Sequence, residues 1–175
     1  MAILGVDDFK AKLKGGGARA SLFKVTLNFP VYAGGDVELA SFLCETASLP
    51  ASTLSTIIVP FRGRKAKFVG ERDFEPWTVS IINDTGFELR NAFERWMNGM
   101  NAHSANTGFT NPADYEVDLA VDQLDKDGTV LKRYNLRGCF PTSVGAIELS
   151  YASEGEIEKF PVTFEMQYWE SGTTS

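Results

Sequence analysis

Apolar and polar residues alternate with a period of two over most of this chain, which is the signature of half-buried strands. In residues 21–29, Phe23, Val25, Leu27 and Phe29 point one way and Lys24, Thr26 and Asn28 the other. Pro30 and the turn residues Gly34, Gly35 and Asp36 close that strand. Residues 37–46, VELASFLCET, read as its antiparallel partner, and SLPAST around Pro50 as a bend. The β-branched run LSTIIV (54–59) ends at Pro60, as an edge strand does. LSTIIVPF and KAKFVG form the two arms of a predicted hairpin with FRGR at its bend. In residues 74–82 the inward set is Trp77, Val79 and Ile81. Tyr115, Val117, Leu119 and Val121 alternate with Glu116, Asp118, Ala120 and Asp122. DKDG (125–128) then turns the chain into the return strand TVLKRYNLRG (129–138). A bend at Pro141 and a short strand around Ile147 and Leu149 follow. The last predicted strand is the longest. Phe160, Val162, Phe164, Met166 and Tyr168 oppose Lys159, Pro161, Thr163, Glu165, Gln167 and Trp169.

One stretch has the helical period instead. Leu89, Ala92, Phe93, Trp96, Met97 and Met100 fall on one face, and Thr85 with Glu88 three residues on reads as a capping box. A Trp/Phe/Met stripe at this spacing is core packing rather than a ligand box. Val6, Phe9 and Leu13 suggest a short helix over residues 6–14, ended by Gly15, Gly16 and Gly17. The expected class is mostly β: an antiparallel sandwich or barrel with one flanking α-helix and a long protruding β-hairpin. A single domain is expected over residues 1–175, with 1–17 a flexible N-terminal arm and 171–175 a loose tail.

Composition agrees with this picture. The 175 residues are 43% hydrophobic and include 13 Phe, 5 Tyr and 3 Trp, enough for a β-rich core. No apolar run reaches the roughly 18 residues of a membrane span, and the first residues do not pattern as a secretory signal. A protein made and kept in a cytoplasm, or in something assembled there, is expected, without membrane anchoring. Cys44 and Cys139 stand far apart with no metal-ligand spacing, so both read as buried thiols. His103, the single histidine, sits in the polar loop 98–114 as a surface residue.

The net charge of −6 is uneven: residues 1–75 sum to +2 and residues 76–175 to −8. That balance argues against wrapping around nucleic acid, which needs Lys and Arg at phosphates. It is compatible with a surface past which nucleic acid slides. The basic run Arg62, Arg64, Lys65, Lys67 and Arg72 reads as a hairpin arm at a protein–protein contact in preference to a phosphate site. An exposed apolar hairpin needs cover, and a neighbouring chain can supply it. GGGARA lacks the preceding strand of a dinucleotide motif, and the DKDG turn places Tyr134 where a calcium loop needs Glu. No catalytic constellation occurs and no cofactor is expected, so an enzyme is not the reading. The residues themselves reach a soluble mostly-β binding or assembly domain.

Several stretches taken together go further. They are ARASLFKVTL (18–27), ETASLP (45–50), PFRGRKAKFVGERDFEPWTVSIINDTGFELRNAFERW (60–96), the DKDG turn, LRGCFPTSVGAIELSY (136–151) and FPVTFEMQYW (160–169). In this order the set resembles the tail tube proteins of contractile-tailed bacteriophages of the T-even type. The resemblance rests on Asp73-Phe74-Glu75-Pro76-Trp77-Thr78-Val79, on Asn83-Asp84 before a helix carrying Phe93 and Trp96, on Gly138 to Gly145, and on Tyr168-Trp169-Glu170. It implies a structural subunit of the virion tail, assembled in the host cytoplasm, with six copies per ring and stacked rings through which DNA passes. It implies tail sheath, baseplate, tail terminator and tape measure proteins as partners. Ile57, Ile58, Arg62, Arg64, Lys65 and Lys67 are then the expected inter-subunit hairpin. Asp118 and Asp122, or Glu165 and Gln167, are the candidate lumen-facing positions. The alternatives are a tube subunit of a related contractile injection or type VI-like secretion machine, and a monomeric carbohydrate- or receptor-binding sandwich.

Overall fold

The computed structural model describes residues 5–174, in which nine strands and three α-helices are found. In chain order these are α1 (Val6–Lys12), β1 (Phe23–Thr26), α2 (Val37–Leu43), β2 (Cys44–Thr46), β3 (Ser52–Phe61), β4 (Arg64–Phe74), β5 (Trp77–Ile82), α3 (Glu88–Met100), β6 (Val117–Leu124), β7 (Val130–Val144), β8 (Lys159–Glu165) and β9 (Tyr168–Ser171). Among these residues no helix is long and apolar enough to cross a membrane. All strand pairs are antiparallel.

The long strand β7 organises the body. Its first part lies between β6 and β9, giving the row β1–β6–β7–β9. Its last part turns to β8 and opens a second row, β7–β8–β5–β2. Two irregularities bend it. At Gly138 (φ +61°) two residues oppose Asp118, and the register slips again after Pro141. A strand shared between two rows through bulges makes a barrel-like corner.

The core fills the space between the rows and α3. Val25, Leu119, Val121 and Leu136 come from one row, and Trp77, Val79, Ile81, Phe160, Val162 and Phe164 from the other. From α3 come Leu89, Ala92, Phe93 and Trp96. The aromatic side chains interlock: Phe93 stacks on Trp96 at 6.2 Å, and Phe164 meets Trp96 at 6.0 Å. The Trp96 indole N–H donates to the Tyr115 carbonyl at 2.9 Å, so its one polar atom is satisfied. Cys44 and Cys139 are both buried free thiols, and burial pushes each up to about 12.

Six local expectations change. Residues 37–43 are helical because the Asp36 carboxylate accepts from the amides of Glu38 (2.9 Å) and Leu39 (3.1 Å), a side-chain N-cap that starts a turn. The partner of β1 is therefore β6, and only Cys44–Thr46 is strand, paired with β5. Phe74 belongs to the hairpin, and β5 begins after Pro76 at Trp77. Thr85 does not cap α3: the Asp84 carboxylate accepts from the Glu88 amide at 3.2 Å, and Phe87 enters in the left-handed region at φ 54°. Pro141 lies inside β7, while Ile147 and Leu149 lie in an irregular loop. The final strand is broken at Met166–Gln167, where the Gln167 amide donates to the Arg137 carbonyl. The break shifts the alternation: Tyr168 is exposed and Trp169 packs inward against Tyr134 and Phe74. The N-terminal helix forms as the periodicity suggests, as α1, and it buries none of its residues.

Candidate assembly surfaces

The hairpin β3–β4 stands off the body. The Glu75 amide donates to the Ala51 carbonyl at its base, and β3 and β4 pair only with each other. At its tip Arg62 (φ 46°) and Gly63 (φ 81°) make a two-residue turn of the kind whose twist suits a hairpin. Near the base Gly70 and Glu71 oppose Ser55 alone, and the Ser55 hydroxyl accepts from the Glu71 amide at 2.8 Å. Gly70 is required there, since a Cβ would collide with that hydroxyl.

The register sorts the hairpin's side chains. Ile57 faces Phe68, Val59 faces Ala66 and Phe61 faces Arg64, all on one side. On the other side Ile58 faces Lys67 and Pro60 faces Lys65. Every one of these residues is exposed. The structure thus brings together the six sequence-predicted hairpin residues, Ile57, Ile58, Arg62, Arg64, Lys65 and Lys67, but divides Ile57 from Ile58 by the thickness of the ribbon. Sequence reasoning missed Val59, Phe61 and Phe68, the rest of the apolar face. The signal for them was available, because pairing Phe61 with Arg64 across the turn aligns Ile57, Val59, Phe61 and Phe68 on one face.

The second surface is the side of the row β1–β6–β7–β9 that faces away from the core. It carries Asp118 and Asp122 on β6, Arg133 and Arg137 on β7, and Glu170 on β9. Arg133 binds both Asp122 carboxylate oxygens at 2.6 Å. Arg137 holds Asp118 at 2.6 Å and also binds Glu170. These bonds to carboxylates raise both guanidinium pKa values, with Asp122 the cause at Arg133 and Asp118 the first cause at Arg137. The Gly138 amide donates to Asp118, and Gln167 donates to Glu116 at 3.1 Å.

The four polar positions marked from sequence separate here. Asp118 and Gln167 join this polar cluster. Glu165 lies outside it, half-buried on β8 opposite Phe140. Asp122, a candidate lumen-facing position, lies on the outer face of the row but is 1% exposed, its carboxylate covered by Arg133. Its burial follows from the paired guanidinium, which makes a buried charge tolerable. His103 is exposed in its loop, with its amide donating to the Asn98 side chain. The row edges are single-sided: β1 pairs only with β6, β9 only with β7 and β2 only with β5. Such edges are templates for further strand pairing.

Comparison with known proteins gives these surfaces a context. Residues 18–171 match the family model described as phage tail tube protein. The chain is 34% identical over 167 residues to the tail tube protein gp19 of Enterobacteria phage T4, covering 94% of this chain and 99% of that protein. It is 28% identical over 170 residues to the tail tube protein of Serratia phage KSP90, covering 95% of each. In fold it is similar to a chain of the anti-feeding prophage cap (TM-score 0.65, 24% identity, 90% of this chain and 91% of that one). It is also similar to one in the extended sheath–tube complex of an extracellular contractile injection system, PVC (TM-score 0.62, 16% identity, 93% and 95%). With a family model spanning nearly the whole chain and a relative above 30% identity over nearly all of both lengths, this protein belongs to the phage tail tube protein family.

Proposed function

We propose that this tail tube subunit assembles into six-membered rings that stack into the hollow conduit for genome delivery. The observation that carries this is the β3–β4 hairpin, which exposes Ile57, Val59, Phe61 and Phe68 on one face with no cover among the described residues. Burying the exposed half of each such side chain is worth about 0.8–1.5 kcal/mol, a strong reason for a second copy to provide cover. The single-sided edges β1 and β9 extend the row into neighbouring subunits, which closes the sheet and removes its edges.

In this assembly the outer face of β1–β6–β7–β9 lines the lumen, with Asp118 and Gln167 among its polar groups. Both arginines on that face are held by carboxylates, so the wall offers DNA no free guanidinium to grip. DNA passes without sequence-specific contact, and a tape measure protein occupies the lumen before it. The tail sheath meets the outside of the tube, and baseplate and terminator proteins meet its ends. Fold relatives occur in a tube-terminating cap, a sheath–tube complex and a baseplate, in keeping with these partners. The described residues serve as one tail-tube domain, with residues 5–17 as an arm; Ser171 is buried at the end of β9, so the expected tail starts after it, and residues 1–4 and 175 lie outside the described residues.

Negative-stain microscopy of the purified protein at high concentration, with an assembly nucleus, tests the proposal. Hexameric rings or hollow tubes are the expected result. A strictly monomeric species under those conditions overturns it.

A further inference from the structure

The helix α1 carries an apolar face with nothing packed on it. Val6, Phe9 and Leu13 share that face and are 70%, 65% and 41% exposed. A helix of seven residues is too short to be stable in water alone, so α1 needs a surface to lie on. The body has an open apolar cleft of about 650 Å³ between β1 and α2. Phe23, Val37, Phe42 and Leu124 line it, and Phe42 is 78% exposed. Lys24 on β1 and Glu38 on α2 border it, both exposed and, among the described residues, without an ion pair. No residue of α1 lines the cleft.

The path of the chain between helix and cleft decides whose helix fits. The Gln123 side-chain amide donates to the carbonyls of Arg19 (2.7 Å) and Leu22 (2.8 Å), which pins the lead into β1 beside Leu124. Between that point and α1 only residues 13–18 are free, and they include Gly15, Gly16 and Gly17. Six extended residues reach about 20 Å. In a row closed by repeats of β1–β6–β7–β9, equivalent points on adjacent copies lie four strand spacings apart, about 19 Å. The lead therefore spans from one copy to the next. To fill its own cleft it would have to reverse beside the pinned turn, and in the single chain the helix and the cleft both stand open.

We infer that α1 of one copy docks its apolar face into the β1–α2 cleft of the adjacent copy in the same ring. This rests on the tube reading above and names a contact at the free edge of β1. Val6, Phe9 and Leu13 cover Phe23, Val37 and Phe42, as an amphipathic helix fills a groove. The charges give the direction. Asp7 and Asp8 lie in the first turn of α1, and Lys10 and Lys12 in its last. With its N-terminal end toward β1, the acids meet Lys24 and the lysines meet Glu38. Six such arms link each copy to the next around the ring.

Cross-linking between two single variants tests the contact. Lys10→Cys lies beside the apolar face of α1, and Ser41→Cys lies in the cleft. The two native thiols are buried and stay out of the reaction. The variants are mixed, assembled with a nucleus and oxidised with copper phenanthroline, with microscopy of the same sample to score rings. A disulfide-linked dimer on a non-reducing gel is the expected result. Rings without any cross-link overturn the contact and leave the tube reading intact. If the mixture gives no dimer while a chain carrying both substitutions links to itself, the cleft takes its own helix and the assignment to a neighbour falls. An unaltered chain that stays monomeric overturns both readings. A second variant, Phe9→Asp, touches no buried residue and is expected to lower the ring fraction at least about tenfold at unchanged circular dichroism. A normal ring yield from it also overturns the contact.

Discussion

The β3–β4 hairpin and the layer beneath α3 use the same residue types to opposite ends. The α3 layer stacks Phe93 on Trp96 and sets Phe93 edge to face with Phe160 and Phe164, with every ring buried. The hairpin sets Ile57, Val59, Phe61 and Phe68 along one face and leaves every one exposed. The first arrangement stabilises the protomer. The second leaves about half of each side chain in water and stabilises the ribbon only through cross-strand pairs such as Ile57 with Phe68. Apolar content alone therefore does not distinguish a core from an interface; cover within the chain does. A two-stranded ribbon has two faces and no third layer, so cover for it must come from outside.

Separating the two regions by mutation gives the largest effect first. Replacing Ile57 and Ile58 by Asp is expected to abolish tube growth while the chain keeps its circular dichroism and denaturation midpoint. Normal tubes from this variant would show that the hairpin is not the inter-subunit element. Trp96→Ala inverts the pattern. It removes a fully buried ring and leaves the Tyr115 carbonyl without its donor, so unfolding free energy falls by about 3–5 kcal/mol in urea titration. A markedly smaller loss would mean that the site collapses around the missing ring, which the interlocked rings oppose, and a fall below about 1 kcal/mol would contradict the packing described.

The smallest effect concerns pH. Both thiols are neutral in the fold to about 12, whereas an unfolded thiol ionises near 8.5. Above that lower value the unfolded chain binds fewer protons than the native one, so stability falls with rising pH. Full stability with respect to these groups is present below about 8.5 and is lost progressively toward about 12. Thiol titration with a disulfide reagent at about pH 9 checks this, since reaction should follow unfolding and not precede it. Rapid reaction of the folded protein would refute the burial of Cys44 and Cys139.

Much of this was legible in the sequence. The hairpin arms and their Phe61–Arg64 bend, the inward set Trp77, Val79 and Ile81, the apolar face of α3 and the 125–128 turn all follow from side-chain direction within a few residues. The resemblance to tail tube proteins, spread over ordered short stretches, also needed no coordinates. The basic run lies on the exposed hairpin ribbon. What failed were choices that local pattern leaves open. Residues 37–43 fit either period, and the Asp36 cap settled them as helix. The last strand kept its alternation on paper, but the backbone breaks at Gln167 and turns Tyr168 out.

The sequence by itself determined the periodicities, the turns, the mostly-β class and the family, because those depend on the direction of each side chain relative to its near neighbours. Only the tertiary structure decided that β1 pairs with β6 nearly a hundred positions away, that β7 serves two rows, and that Asp122 is buried beneath Arg133. Those facts depend on which distant groups meet. Burial and charge pairing are properties of that meeting, and no window of neighbouring residues contains them.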